Sequence, residues 1–451
     1  MDVVARAPIA LMPETMTRFQ IGIVALCVAI AGLDGFDVLV AAFTASAIAK
    51  EWVLNPATLG VLFGAGLAGM GFGALLIAPL GDRLGRRPTV LLCLGILLAG
   101  MLASAFARDI GELALLRFLT GLGIGGVLAN INVVVAEYAS ERRRGLCVAL
   151  MSVGYPIGAT LGGMAAVYLI QIWGWRSVYA FGGLVALILF PLTMRLLPES
   201  LSFLLARRPA DALERVNRIL ARLGCAPMAT LPALPLSNEQ SMSRDVLAIF
   251  RSPMRAGTIV SSFLYFSVMA TCYFLLSWTP KLLTDLGLSV SGGISGALLM
   301  NVGGTAGCIL YGFYAERFGV RRLAVCFMVG LSVMTLVFGV LPADAMLLLV
   351  AALALGFFLH TSITVLYVVV PTVFPPTLRT TGTGFSMSVG RLGAVFGPLL
   401  AGWLMASGFD RPVYFAVLAI PMLLAVTCLY HMRMLDTPKQ EAGLSPLADP
   451  V

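Results

Sequence analysis

Residues 78–87 read APLGDRLGRR, and residues 312–322 read GFYAERFGVRR. Each stretch closes an apolar run, and each contains an acid, an arginine, a glycine and a further arginine in the same order. The two acids, Asp82 and Glu316, are 234 residues apart. Because a motif repeated at about half the chain length indicates an internal duplication, the sequence predicts two related halves.

Two further pairs of stretches have nearly the same offset. The sequence EYASERRRG at 137–145 corresponds in place to FPPTLRTTG at 374–382, an offset of 237 residues. Glycines spaced by one helical turn recur at 154–163 and at 393–402. Small residues at this spacing allow membrane helices to approach closely, so both stretches are predicted to lie at helix contacts.

The composition places the chain in a membrane. Of its 451 residues, 59% are hydrophobic and only 12% are charged, against about a quarter charged residues in soluble globular proteins. Apolar runs long enough to cross the hydrocarbon core recur twelve times, which excludes a soluble enzyme and predicts an all-α membrane protein of two six-helix bundles. The predicted spans are 19–49, 56–80, 88–107, 112–137, 145–171, 175–197, 255–284, 292–315, 322–341, 344–373, 382–407 and 411–433.

The basic residues predict the orientation. The two tails, the central segment and the 2–3, 4–5, 8–9 and 10–11 loops carry 23 of the 30 Lys and Arg residues. The positive-inside rule places these segments, with both termini, in the cytoplasm, and the expected location is a bacterial inner membrane. The first apolar run is too long for a cleavable signal and is retained as the first helix.

The domain organisation follows from the spans. Within the central polar segment, Asp211 to Leu223 has apolar residues at helical spacing and predicts an amphipathic helix on the inner membrane surface. The predicted units are a cytoplasmic tail at 1–18, a first bundle at 19–197, a cytoplasmic linker at 198–253, a second bundle at 254–434 and a cytoplasmic tail at 435–451.

Cysteine usage and net charge bear on partners. The eight cysteines form no CxxC or Cys/His cluster, so we expect no disulfide framework, no metal site and no cofactor. The net charge of +8 records topology in a chain of this class, so we expect no nucleic-acid partner. The expected partners are the lipid bilayer, a small substrate and a proton, and we expect a monomer.

The chain resembles the major facilitator superfamily in four features. They are the repeated loops at 78–87 and 312–322, the RFLTGLGIGG run at 117–126, Pro-Glu-Ser at 198–200 and the six-plus-six layout. Over nearly the whole chain, four further motifs are similar to the aromatic acid:proton symporters. They are DGFD at 34–37, Glu-Tyr at 137–138, YFLLSWTP at 273–280 and GRLGxxxGP at 390–398. This resemblance implies uptake of a benzoate-like or related carboxylate with a proton.

The chain departs from that family at several positions. Ala78 stands where the superfamily loop normally has glycine, and Phe374-Pro375 replaces the family's Tyr-Pro. The Gln usually found in span 10 is absent, with His360 nearby. These departures leave the particular acid open.

Three ionisable residues in the first half are candidates for proton coupling. Asp34 and Asp37 are three residues apart in span 1 and share a helix face. Asp37 and Arg117 lie at about the same depth, near the outer side. Charges in hydrocarbon are costly and are functional hypotheses by default. One carboxylate paired with Arg117 would stay ionised, and the second would be readily protonated. The alternative is that Arg117 snorkels to the headgroups and that the acids cap a broken helix.

The substrate-binding candidates centre on Arg391, about 13 Å into span 11 and close to the midplane. A guanidinium binds a carboxylate through two parallel hydrogen bonds. The alternative is a structural bond to carbonyl groups at the glycine-rich crossing. Further candidates, each of which packing alone would also explain, are Asn130, Tyr155, Tyr273, Trp278 and His360, with Phe36, Tyr265 and Tyr367 as additional aromatic walls.

Charged residues at the inner helix ends predict a cytoplasmic gate whose ion pairs hold the outward-open state. The alternative is that they record topology and contact lipid phosphates. They are Asp82, Arg83, Arg86, Glu137, Arg142, Glu316 and Arg317.

Two other functions fit parts of the sequence. Export of drugs or organic acids is possible because the glycines at 154–163 approach the span 5 motif of superfamily antiporters, although that motif's proline is Ala159 here. A membrane sensor would require a signalling domain, and the cytoplasmic segments are too short for one.

Overall fold

The computed structural model describes residues 16–232, 248–251, 254–375 and 378–431. Within them, twelve helices are long and apolar enough to cross a membrane, which confirms the predicted fold class. They are α1 (Arg18–Trp52), α2 (Pro56–Leu76), α3 (Arg86–Ser104), α4 (Ile110–Tyr138), α5 (Arg144–Trp173), α6 (Arg176–Leu196), α7 (Met254–Asp285), α8 (Val290–Phe318), α9 (Val320–Val340), α10 (Ala345–Val369), α11 (Arg379–Ala406) and α12 (Arg411–His431).

Short helices occupy several of the connections. The end of the second apolar run is not continuous, because α2 ends at Leu76 and a turn separates it from the helix that carries the repeated acid. The short helices are Leu80–Arg83, Glu141–Arg143, Leu201–Arg207, Ala212–Leu223 and Val370–Val373.

The repeated loop has the same backbone conformation in both halves. Gly85 precedes α3 with φ 107°, and Gly319 precedes α9 with φ 85°. These left-handed φ values are strained for residues with a Cβ atom and are open to glycine. The glycine of the repeated motif is therefore explained by the sharp reversal between consecutive spans.

Equivalent helices pack together in the two halves. A Cβ atom on Gly158 in α5 would lie 1.8 Å from the carbonyl oxygen of Gly32 in α1. A Cβ atom on Gly393 in α11 would lie 2.2 Å from the carbonyl oxygen of Phe266 in α7. The glycine stretches therefore allow α5 to contact α1 and α11 to contact α7, as their spacing predicts.

The start of α1 and the end of α12 lie on one face of the bundle, here termed the terminal face, and the α1–α2 and α7–α8 connections lie on the opposite face. Near the opposite face, α2 packs tightly on α11, where a Cβ atom on Gly60 would lie 2.9 Å from the carbonyl oxygen of Pro398. Phe63 stacks edge to face on Trp278 of α7, with ring centroids 5.2 Å apart. The two halves are thus held together near the opposite face.

The linker helix Ala212–Leu223 was predicted as amphipathic, and its apolar residues are buried. Val216 and Leu220 are fully buried against protein, and the guanidinium of Arg222 lies 5.5 Å from the ring centre of Phe19 at the start of α1. The apolar face of this helix therefore packs against protein, and its position at the inner membrane surface stays a prediction.

Candidate functional site

Arg117 and Asp37 form an ion pair inside the first half. The Nη1 atom of Arg117 lies 2.7 Å from Oδ1 of Asp37, and the two residues are 2% and 5% exposed. Nη2 of Arg117 lies 3.3 Å from Sδ of Met101, and the guanidinium stands 5.0 Å from the ring centre of Tyr179. Arg117 is enclosed by protein, which rules out the snorkelling interpretation.

A small cavity of about 30 Å³ lies beside this pair. A void needs roughly 10–15 Å³ to hold one water molecule, so this one has room for a water next to the Asp37 carboxylate. Residues of α1, α2 and α4 line it, and Ser277 of α7 contributes from the second half. The buried pair therefore lies beside the contact between the halves.

Asp34 does not join the pair at Arg117. It is 1% exposed, and neither carboxylate oxygen has a hydrogen-bond partner within the part of the chain that the structure describes. The sequence analysis expected one carboxylate paired with Arg117 and a second one unpaired beside it. In the structure Asp37 is the paired acid, and Asp34 is the unpaired one, within electrostatic range of Asp37. Residues three apart in a helix differ by about 60° in direction, and this difference is enough for the two acids to line different cavities.

Asp34 lines a second cavity of about 160 Å³ between the two halves. Met70 is common to both cavities and separates the small one from this larger one. The larger cavity is lined by Asp34, Met70, Leu128, Tyr155, Tyr265, Met269, Tyr273, Ile363, Tyr367, Met387, Gly390 and Arg391.

Arg391 supplies the positive charge of this cavity. It lies twelve residues into α11, which places it about 18 Å from the start of that helix. Among the described residues its guanidinium makes no hydrogen bond or ion pair, but it lies within electrostatic range of Asp34. An acid from the first half and an arginine from the second half thus flank one cavity.

Tyrosines form much of the remaining wall. Tyr155 and Tyr273, both predicted to contact the substrate, line the cavity and lie within electrostatic range of each other. Tyr265 and Tyr367 pack edge to face with ring centroids 6.4 Å apart. The cavity therefore combines aromatic walls with one cationic and one acidic group.

Three residues predicted to contact the substrate lie outside this cavity, and Trp278 and His360 are two of them. Trp278 donates from Nε1 to the carbonyl oxygen of Pro398 at 3.1 Å and belongs to the contact between the halves. His360 packs against α8, where a Cβ atom on Gly304 would lie 2.3 Å from its Nδ1 atom. Neither residue lines the 160 Å³ cavity. In this structure both side chains therefore contact neighbouring helices and not the 160 Å³ cavity.

Asn130, the third of these residues, also lies outside the 160 Å³ cavity. Its Nδ2 atom donates to the carbonyl oxygen of Gly126 at 2.8 Å and to that of Ala78 at 3.3 Å. Asn130 therefore joins α4 to the turn after α2. Such bonding between helices is the alternative to substrate contact for a polar residue in a span.

The methionines of the cavity carried no signal in the sequence. Met70, Met269 and Met387 line it, yet methionine in a membrane span is indistinguishable from packing. Leu128 and Ile363 were missed for the same reason.

Part of the predicted gate forms a connected cluster at the terminal face of the first half. Arg86 contacts Asp82 at 2.9 Å and Glu137 at 3.9 Å. Oε2 of Glu137 accepts a 2.7 Å hydrogen bond from Ser200. Glu199 was not among the predicted gate residues, although it belongs to the quoted Pro-Glu-Ser motif, and its Oε1 accepts a 2.8 Å hydrogen bond from the backbone N–H of Arg86. An acid at the N-terminus of α3 is favourable because the first N–H groups of a helix lack partners.

The other predicted gate residues do not join this cluster. Arg83, Arg142 and Arg317 are exposed, and Glu316 has a side chain outside the described part. Each ion pair identified in the described ranges joins residues of one half or of the linker. In this structure the gate residues therefore do not connect the two halves.

A cavity between two related six-helix bundles of membrane-spanning length is the architecture of a multi-pass transport protein and not of an enzyme. The chain belongs to the Major Facilitator Superfamily, whose model matches residues 24–313 and 306–449. The resemblance stated from the sequence motifs is thereby confirmed.

Curated relatives cover almost the whole chain. It is 35% identical to a gallate transporter of Pseudomonas putida, with 94% of both chains covered. It is 31% identical to a 4-hydroxybenzoate transporter of Pseudomonas aeruginosa, with 92% of this chain and 93% of that protein covered. It is 30% identical to a 3-(3-hydroxy-phenyl)propionate transporter of Escherichia coli, covering 94% and 96%.

Solved structures show the same fold. An inward-open conformation of the xylose transporter from E. coli superimposes with a TM-score of 0.70 at 16% identity, covering 94% of this chain and 98% of that one. A nucleoside transporter superimposes with the same TM-score at 13% identity.

Proposed function

We propose that this protein imports an aromatic carboxylate together with a proton, by alternating access across a bacterial inner membrane. The relatives named for gallate, 4-hydroxybenzoate and hydroxyphenylpropionate support an aromatic acid as substrate. The observation that carries the proposal is the Arg391 guanidinium, which lines the central cavity without a partner among the described residues. Arg391 is partly buried, and a cation in the interior of a membrane protein that makes no direct ion pair is costly, so an anionic ligand reduces that cost.

The size and lining of the cavity support a single aromatic ring. An apolar cavity of about 150 Å³ in another protein holds a benzene molecule. The volume of about 160 Å³ between the halves is close to that value. Tyr155 and Tyr273 offer ring faces, and Arg391 offers the two parallel N–H groups that a carboxylate accepts.

Proton coupling follows from the charges of the cavity. With the substrate carboxylate on Arg391, an ionised Asp34 would be a second anion beside a single cation in a region of low polarity. Substrate binding therefore favours the neutral, protonated form of Asp34, and release of the substrate favours the loss of that proton. In this scheme Asp37 stays ionised on Arg117 and holds α1 against α4. Asp34 is then the group that carries the proton.

Orientation and conformation complete the cycle. The 23 basic residues assign the terminal face to the cytoplasm, so the tight packing of Gly60 on Pro398 lies on the outer side. The structure then represents the half of the cycle in which the site is closed to the outside. The exposed gate residues of the terminal face, including Arg83 and Arg317, would meet the other half only when the inner side closes.

The test is direct binding of benzoate and 4-hydroxybenzoate to purified wild type and Arg391→Lys. Lysine keeps the charge but lacks the planar fork of arginine. Truncating a desolvated charged contact costs on the order of 2 to 5 kcal/mol, and the lysine variant should lose the lower part of that range. Methyl benzoate should fail to compete, since it has no anionic oxygen pair. Equal affinity of both proteins for the acid, or tight binding of the ester, would remove Arg391 from the substrate site.

A transport assay tests the direction. Proteoliposomes holding the wild type should accumulate labelled 4-hydroxybenzoate when their lumen is more alkaline than the medium, because inward proton flow then drives import. The matched control is the same vesicle without a pH gradient, which should reach equilibrium only. Accumulation driven by an acidic lumen would favour the export alternative.

A further inference from the structure

We infer that the Met70 side chain is an apolar barrier between the Asp37 carboxylate and the substrate cavity, and that it limits proton leak when no substrate is bound. The inference rests on the proposed function, in which Asp34 carries the proton and Asp37 stays paired with Arg117. It assigns a role in coupling to an uncharged residue of α2.

The two cavities lie in series along the direction of transport. Helices α1, α4 and α7 each supply residues to both cavities, and on each helix the residues of the small cavity lie nearer the opposite face. Examples, with the small-cavity residue first, are Asp37 and Asp34 in α1, Ile124 and Leu128 in α4, and Ser277 and Tyr273 in α7. The small cavity therefore lies between the large cavity and the opposite face.

Met70 is the point at which the two cavities meet. Among the described residues that line the two cavities, Met70 alone belongs to both. It lies fourteen residues into α2, about 21 Å from the start of that helix at the opposite face. The residue is 5% exposed, so its side chain is enclosed by protein. A thioether is only a weak hydrogen-bond acceptor, and water is unstable at an apolar constriction. The Met70 side chain thus interrupts a chain of water molecules between the two acids.

The backbone of Met70 is held in place by glycines of α4. A Cβ atom on Gly125 would lie 2.0 Å from the carbonyl oxygen of Met70, and one on Gly121 would lie 2.9 Å from its backbone nitrogen. The two glycines are one helical turn apart and bring α2 directly against α4. The side chain itself has three rotatable bonds, so it adapts to an irregular gap. Close helix packing therefore fixes the barrier, and a flexible side chain fills it.

The small cavity has a second apolar boundary toward the opposite face. Phe63 lines this cavity and packs edge to face on Trp278, with ring centroids 5.2 Å apart. The cavity between Phe63 and Met70 has room for a water molecule beside Asp37, so it is an intermediate position for a proton.

The two boundaries act together. A proton that crosses the first half needs an unbroken chain of hydrogen bonds, and therefore water at Met70 and at Phe63 at the same time. Because the free-energy costs of wetting the two positions add, removal of either side chain raises the rate of leak.

The experiment measures the decay of a pH gradient in proteoliposomes that contain a pH-sensitive dye, with no substrate and with the membrane potential clamped by potassium and valinomycin. Met70→Ala removes the barrier, and Met70→Gln keeps its length but offers hydrogen bonds to water. Met70→Leu is the first control, because it preserves the apolar volume. Met387→Ala is the second control, because Met387 lines only the large cavity.

Wild type, Met70→Leu and Met387→Ala should lose the gradient as slowly as vesicles without protein. Met70→Ala and Met70→Gln should lose it several-fold faster, since both allow water to connect the cavities. Each variant is first checked by size-exclusion chromatography. If Met70→Ala is not recovered as folded protein, Met70→Gln decides the question, because it leaves no void.

Two results would overturn the inference. One is a wild-type rate of decay in the folded Met70 variants, Met70→Gln included. The other is an equal leak from Met387→Ala, because the leak would then come from loosened packing of the cavity and not from Met70. The proposed function is tested separately by accumulation of 4-hydroxybenzoate in the same wild-type vesicles. Failure of that accumulation would remove the proposed function, whereas the leak is measured without substrate and reports on the barrier alone.

Discussion

The buried pair of Asp37 and Arg117 makes an asymmetric prediction about stability. The two charged atoms are 2.7 Å apart, and the side chains are 4% and 3% exposed, so both charges are shielded from bulk water. Removing one member of such a pair costs about 3–5 kcal/mol, whereas replacing both with apolar residues of similar volume is often neutral. The perturbations are Asp37→Leu, Arg117→Met and the double variant.

The two single variants should not cost the same. Asp37→Leu leaves a guanidinium that cannot lose its proton, and the full 3–5 kcal/mol is expected. Arg117→Met leaves a carboxyl group that can become neutral by taking up a proton, so the part of its cost due to the unpaired charge is smaller and should decrease further as the pH falls. It also loses the cation–π contact with Tyr179, worth about 2 kcal/mol when desolvated, and this part is independent of pH.

The assay is the free energy of unfolding of purified protein in mixed micelles, followed by tryptophan fluorescence at two pH values. The double variant should be more stable than Asp37→Leu alone, which gives a coupling energy of several kcal/mol. A double variant whose loss equals the sum of the two single losses would refute the reasoning, and so would an Arg117→Met variant with no dependence on pH.

Three further predictions concern other parts of the molecule. Asp34→Asn should bind 4-hydroxybenzoate but lose accumulation driven by a pH gradient, because the amide cannot carry a proton; normal accumulation in proteoliposomes would reassign the proton. Gly158→Leu should prevent recovery of folded protein in size-exclusion chromatography, because its Cβ would lie 1.8 Å from the Gly32 carbonyl oxygen. The control variant Gly145→Leu should be recovered normally, because no heavy atom lies within 4 Å of a Cβ at that position. Trp278→Phe should retain wild-type substrate affinity, since Trp278 bonds to Pro398 and does not line the cavity; a tenfold loss in a binding titration would return it to the substrate site.

The fold could be predicted from the sequence because the bilayer restricts the possibilities. Three features of the sequence each have one physical explanation in a bilayer. They are the spans of sufficient length, the repeated loop around Gly85 and Gly319, and the glycine stretch near residue 158. The end of the second span was not predictable at the same accuracy, because apolar residues continue past Leu76 although the helix does not.

The site was less predictable, because the sequence gives the depth of a side chain along its helix but not the neighbour toward which the side chain points. Depth along a helix follows from the residue count, and it placed Arg117 level with Asp37. The neighbour of a side chain depends on the rotation and packing of whole helices, and the periodicity of the sequence does not determine these. The sequence therefore could not tell which of Asp34 and Asp37 pairs with Arg117. It also could not distinguish Tyr273, which lines the cavity, from Trp278, which contacts Pro398.

The order of synthesis gives the Asp37–Arg117 pair a consequence for membrane insertion. The chain emerges from its N-terminus, and α1 carries two acids that are buried in the finished protein, while the arginine that pairs with one of them is 80 residues later, in α4. Carboxylates in the hydrocarbon centre are unfavourable, so α1 is a poor isolated span until α4 arrives. Its first stable environment is therefore a proteinaceous or hydrated one, and α1 leaves it for its buried position in the bundle only when four helices of the first half have been made. A truncated chain that ends before α4 should accordingly be retained by the insertion machinery or degraded, and one that ends after α4 should be released.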